Sequence, residues 1–246
     1  MGKAKLRLTA FDPTVTTDQK RQGMSSTGSV GSRTWDQSNG NGQPQHKGLG
    51  VNSKLAGWTT SLNFDSNDRL EISTTQALVT TDPWMMVFAF VDLDTSSDNT
   101  LAGFGPSSGS VHGHLQIGSG GTSIKWKAAT AKASEQTTAI NSTANSSTNY
   151  TFGNDVEVLI LYMPGSSVSS SQYYYNIDGD LIGQTGVHGL WSQDCQIQYI
   201  GGDDGFAEPF LNGQLLDARF YSGSDVPPAT TASLQAIGNR YKQQKD

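Results

Sequence analysis

FLNGQLLDARFYSG, residues 210–223, is the stretch whose reading decides the fold. Within it LLDARFY (215–221) alternates, setting Leu216, Ala218 and Phe220 on one side and Asp217, Arg219 and Tyr221 on the other. A period of two belongs to a strand with one face on a core and the other toward water.

Similar runs recur along the chain, each bounded by turn formers. KLRLTAF (5–11), SLNF (61–64), RLEIS (69–73), WMMVFAFVDL (84–93) and HLQI (114–117) read as strands. So do SIKWKA (123–128), VEVLILYM (156–163), YYYNI (173–177) and IQYIG (197–201). VLILYM is apolar throughout, which suits a strand covered on both faces. In NIDGDL, Asp178-Gly179 predicts a two-residue hairpin turn. The one helical pattern follows Asp225-Val-Pro-Pro: a short C-terminal helix over 228–243, with Leu234, Ile237 and Tyr241 on one stripe. No βαβ succession is present, so ten or more antiparallel strands predict an all-β fold of two stacked sheets. A single domain over 1–246 is expected, with residues 1–20 read as the first strand plus an N-terminal arm or loop.

Two polar stretches are expected to form no strand. ASEQTTAINSTANSSTN (133–149) reads as a low-complexity loop. RTWDQSNGNGQPQH (33–46) is too rich in turn formers for helix or strand, with Gly40 and Gly42 free to take positive φ.

Composition narrows the function. Charged residues make up 15% and hydrophobic ones 35%, and the net charge is −6, so the surface is neutral-polar and gives no nucleic-acid footprint. Cys195 is the only cysteine and forms no intrachain disulfide. The start MGKAKLRLTAFDPTV lacks the apolar core of a signal peptide, which implies synthesis in a cytoplasm. The longest apolar runs fall short of the roughly 20 residues needed to cross a bilayer.

Four segments, in order, resemble the laminin G-like, concanavalin A-like jelly-roll family, in its bacterial and phage branch. They are LTAFDPTVTT (8–17), TWDQSNGNGQPQ (34–45), LNFDSNDRLEI (62–72) and FLNGQLLDARFYSG, the last followed by a helix ending in a Tyr-Lys pair. The resemblance implies a two-sheet antiparallel jelly-roll sandwich, with the Trp35 ring at one end of the core. It also implies a candidate structural calcium site at Asp36 and Asp217, with backbone oxygens completing the shell. A self-capped Asx turn is the competing reading of that loop.

Catalytic patterns are absent. Glycosidases of this fold carry carboxylates at alternate positions of one strand, whereas Glu71, Glu135, Glu157 and Glu208 form no such array. Glu71 and Glu157 read as surface or edge residues. DLDTSSDNT (92–100) lacks the glycine and the final glutamate of an EF-hand and reads as a polar hairpin loop. His112 and His114 share a strand face without a third ligand and read as surface residues. No nucleophile elbow, Walker loop or dinucleotide fingerprint occurs. Trp58, Tyr173, Tyr175 and Trp191 are the candidate glycan or interface contacts.

The expectation is therefore a non-enzymatic virion structural protein of a tailed phage. It would be a capsid decoration, another surface part or a tail component, made in the host cytoplasm. It would dock on other virion proteins in multiple copies or as a homo-oligomer, contacting host-surface polysaccharide but neither nucleic acid nor membrane. A carbohydrate-binding, lectin-like module at a cell surface is the alternative.

Overall fold

The computed structural model describes residues 6–9, 19–20, 23–26, 33–36, 45–48, 60–65, 68–78, 82–106, 113–127, 136–139, 157–163, 172–177, 180–185, 195–202, 209–230, 232–234 and 236–238. Its first strands are β1 (Leu6–Thr9), β2 (Gln19–Lys20), β3 (Gly23–Ser26), β4 (Arg33–Asp36) and β5 (Gln45–Gly48). Then come β6 (Thr60–Asp65), β7 (Leu70–Leu78), β8 (Trp84–Val91), β9 (Asn99–Pro106), β10 (Gly113–Ile117) and β11 (Ser123–Lys127). The rest are β12 (Gln136–Ala139), β13 (Glu157–Met163), β14 (Gln172–Ile177), β15 (Asp180–Thr185), β16 (Cys195–Ile200) and β17 (Asn212–Ser222).

Among the described residues all the pairings are antiparallel and build two sheets. One has nine strands in the order β15-β14-β13-β8-β17-β6-β5-β2, with β1 added to β17. The other has eight, in the order β12-β11-β10-β9-β16-β7-β4-β3. β6 and β1 divide one edge of β17 between them, at residues 212–215 and 217–220, while β8 holds the other edge.

One apolar cluster joins the sheets. Phe64, Trp84, Met86, Phe88, Phe90, Leu159 and Phe220 enter it from the nine-stranded sheet, and Leu70, Phe104, Leu115, Ile117, Ile124 and Ile197 from the other. Phe88 and Phe220 meet edge to face, with centroids 5.8 Å apart at 87°. Each fully buried side chain of this size contributes about 2–3 kcal/mol, so the cluster dominates the stability. The architecture is the expected jelly-roll β-sandwich.

The nine-stranded sheet also has a second covered face. Met85, Val87, Ala89 and Val91 alternate with the core residues of β8 and join Val158, Ile160, Leu216, Tyr221, Leu234 and Ile237. Residues 232–234 and 236–238 are helical, and the Leu234 N–H donates to the Thr230 carbonyl (2.9 Å). Thr230 Oγ1 accepts from the Ser233 N–H and so caps the helix. Leu234 and Ile237 lie on the buried stripe expected for them, while Tyr241 falls outside the described residues.

Several expectations need correction. Leu216 does not point inward: a bulge between Leu215 and Asp217 shifts the phase, so Leu215, Ala218 and Phe220 face the core and Leu216 joins the outer cluster. Asp217 and Arg219, read as solvent-facing, are buried beside that cluster. The polar stretch 33–46 does contain strand, β4 and β5 at its two ends, and the 133–149 loop contains β12. These pieces complete ladders with β3, β7, β2, β6 and β11, and backbone pairing tolerates polar side chains near a sheet edge. The expected turn residues Asp178 and Gly179 lie outside the described residues; the strands on either side pair Ile177 with Asp180.

Candidate functional site

The segment after β8 is not the expected hairpin: it carries the chain from the nine-stranded sheet to β9 of the eight-stranded one. Asp92 opens it in a left-handed conformation (φ 52°), which aspartate tolerates better than most residues. Leu93 buries its side chain, while Asp92 and Asp94 on either side of it are exposed. The Asp94 carboxylate accepts from the Ser96 N–H (2.9 Å). That bond, with a second from the Ser96 hydroxyl, holds the carboxyl below its ordinary pKa of 3.8 against a small opposing effect of burial.

Opposite this segment runs the start of β17 and the residues before it. Leu211, Gly213 and Leu215 are buried, whereas Phe210, Asn212 and Gln214 are half-exposed. Two of these face the aspartates. Asn212 Nδ2 donates to Asp94 Oδ2 (3.0 Å), and Gln214 Nε2 donates to Asp92 Oδ2 (2.7 Å). Ser61 on β6 donates to Gln214 Oε1 (2.6 Å) and fixes that amide from behind. Buried Asn99 ties the two segments together: its Nδ2 donates to the Asp94 carbonyl, and its Oδ1 accepts the Asn212 N–H (2.8 Å).

Phe210 heads the stripe. Gly202 lies against it, since a Cβ there would sit 2.7 Å from the ring and 3.2 Å from the Arg69 Cβ. Arg69 in turn stacks over Tyr199, 4.6 Å from the ring centroid. The 310 turn Ser119–Gly121 closes the neighbouring flank. Asp98 accepts the Ser119 N–H (2.7 Å) and pairs with Lys125, and the Gly120 N–H donates to the Thr95 carbonyl. The result is one polar stripe over the end of the sandwich, with an aromatic ring at its head and carboxylate and amide groups set in place. From 210 to 214 it spans roughly 13 Å.

Trp58 and Trp191 fall outside the described residues. Tyr173 and Tyr175 stand on β14, where the backbone register pairs them with Leu161 and Leu159. Asp36 stands on β4 in the eight-stranded sheet and Asp217 on β17 in the nine-stranded one. The Asp217 carboxylate accepts from Arg219 Nε (2.7 Å). His114 and Glu157, read as surface residues, are buried at 1% and 0% exposure, while His112 is outside the described residues. Trp35 pairs by backbone with Ile72, two residues beyond core residue Leu70. Among the described residues no three His, Cys, Asp or Glu side chains are grouped to hold a metal, and no helix is long and apolar enough to cross a membrane.

The sequence did carry a signal for the stripe. Asp92 and Asp94 alternate with Leu93, and Phe210, Asn212 and Gln214 alternate with Leu211 and Gly213. Each half shows the period of an edge with one wet side; only the fold sets the halves face to face.

Fold and site together define a β-sandwich of the jelly-roll class with a polar end. No protein-family model matches the chain, and no curated protein sequence does. Solved structures share its fold. The botulinum neurotoxin serotype D binding domain superposes with a TM-score of 0.53 at 13% identity, over 99% of this chain and 52% of that one. This chain thus spans about half of the toxin domain. The CBM40 of the Ruminococcus gnavus IT-sialidase gives 0.43 at 12% identity, over 69% of this chain and 96% of that one. The heptameric SAP-like pentraxin of Limulus polyphemus gives 0.44 at 12%, over 68% and 73%. At such identities the likeness is one of fold.

Proposed function

We propose that the chain is a non-catalytic glycan-binding module and that the stripe Phe210–Asn212–Gln214 with Asp92 and Asp94 is its contact surface. Sugars present C–H faces that settle on aromatic rings and hydroxyls that donate to fixed carboxylates and amides. One observation carries the reading: exposed Asp92 and Asp94 are already oriented by donors from Gln214, Asn212 and Ser96. Pre-set acceptors avoid the ordering cost that mobile side chains would incur on binding.

The virion reading ranks second. It rests on the sequence resemblance together with the expected cytoplasmic synthesis, and the structural likenesses add nothing to it.

The test is the full chain on a printed array of oligosaccharides, followed by calorimetry on any glycan retained. Phe210→Ala is expected to weaken binding by about 1–2 kcal/mol, with the melting midpoint recorded alongside. An empty array, or undiminished binding by a folded Phe210→Ala variant, overturns the assignment.

A further inference from the structure

The charges along the stripe are of one sign. Asp92 and Asp94 are exposed on it, and Asp65, also exposed, is the backbone partner of Asn212. The cations described nearby are engaged. Lys125 pairs with Asp98, and Arg69 is buried over Tyr199. The groups that do reach the surface are hydrogen-bond acceptors and amides, which suit hydroxyl donors. A carboxylate laid on the same stripe would meet two fixed negative charges and no opposing cation among the described residues.

We propose that the stripe selects uncharged glycans and turns away those bearing a carboxylate, such as sialylated or uronate-containing chains. This rests on the glycan-binding reading and adds the class of sugar to it. Two further features support it. Asp94 keeps its charge throughout neutral and mildly acid pH, because the Ser96 bonds lower its pKa. Phe210 offers an apolar platform for which an uncharged ring face is the fitting partner. The discrimination is electrostatic and short in range, so added salt narrows it.

The experiment pairs neutral oligosaccharides with carboxylated counterparts of the same core, for example lactose and 3′-sialyllactose, within a wider printed panel. The neutral member of a bound pair is expected to bind about tenfold more tightly at low salt. Asp92→Asn, which keeps an oxygen for Gln214 and tolerates the left-handed backbone, is expected to narrow that ratio. Phe210→Ala is expected to weaken both members alike and leave the ratio unchanged. Tighter binding of the carboxylated members, or a ratio that ignores both Asp92→Asn and salt, overturns the selectivity while leaving glycan binding intact. Binding to no sugar in the panel removes the functional reading itself, and this inference with it.

Discussion

Asp94 shows how little chemistry is needed to fix a surface carboxylate. It is exposed, so burial hardly acts on it, and its lowered pKa comes from the Ser96 N–H first and the Ser96 hydroxyl second. Ser96→Ala removes the second donor and leaves the first. The Asp94 pKa, followed by NMR titration, is expected to rise part of the way toward 3.8. The sign for stability follows from the direction of the shift. A folded pKa below the unfolded one gives a contribution that is present above pH 4 and lost as acid takes the pH down through the folded value. Ser96→Ala should therefore lower the melting midpoint slightly at pH 7, match the parent once the pH is below the folded pKa, and so flatten the fall on acidification. A midpoint that drops equally at all pH values would assign Ser96 a packing role instead.

β17 is the element on which everything else is hung. Apolar β8 holds one of its edges, and from Leu215 to Tyr221 every side chain is buried, Asp217 and Arg219 included. Burying that pair is tolerable because the partners lie 2.6 Å apart and sit on one strand at i and i+2. Arg219→Met would leave Asp217, at 0% exposure, without this partner. The cost should be about 3–5 kcal/mol in denaturant unfolding, and the double variant Asp217→Leu/Arg219→Met should regain most of it. Equal losses in the single and double variants would mean that the pair is held by its surroundings rather than by each other. The same strand marks the limit of sequence reading. Alternation identified it as a strand, yet a bulge between Leu215 and Asp217 moved Leu216 to the opposite face. The polar pieces β4, β5 and β12 were illegible because their pairing relies on backbone groups that every residue carries.

At the scale of the whole molecule, the stacked antiparallel sheets were legible because aliphatic runs such as WMMVFAFV and VLILYM must be covered on both sides. The meeting of the stripe's two halves was not legible, because Asn212 and Asp94 are 118 residues apart and Gln214 and Asp92 are 122 apart. Each half looks like ordinary edge alternation until topology sets them together. The aromatic residues chosen from sequence were picked as faces on which a sugar could stack, whereas Phe210 is marked by what flanks it. Gly202 against one side of that ring and Asn212 two residues on are features of arrangement, not composition.

The run of β1 along β17 has a practical consequence. Leu6 pairs with Phe220 and Thr9 with Asp217, so the chain enters the sandwich at the end of β17 far from Asn212. The eight residues from 212 to 220 cover roughly 26 Å. A tether joined directly ahead of Leu6 therefore holds the body by the end away from Asn212 and leaves the stripe facing outward. Immobilised that way on a sensor chip, the protein should capture sugars as well as it does in free solution, whereas anchoring through a cysteine placed at Thr122, beside the Ser119–Gly121 turn, should blind it.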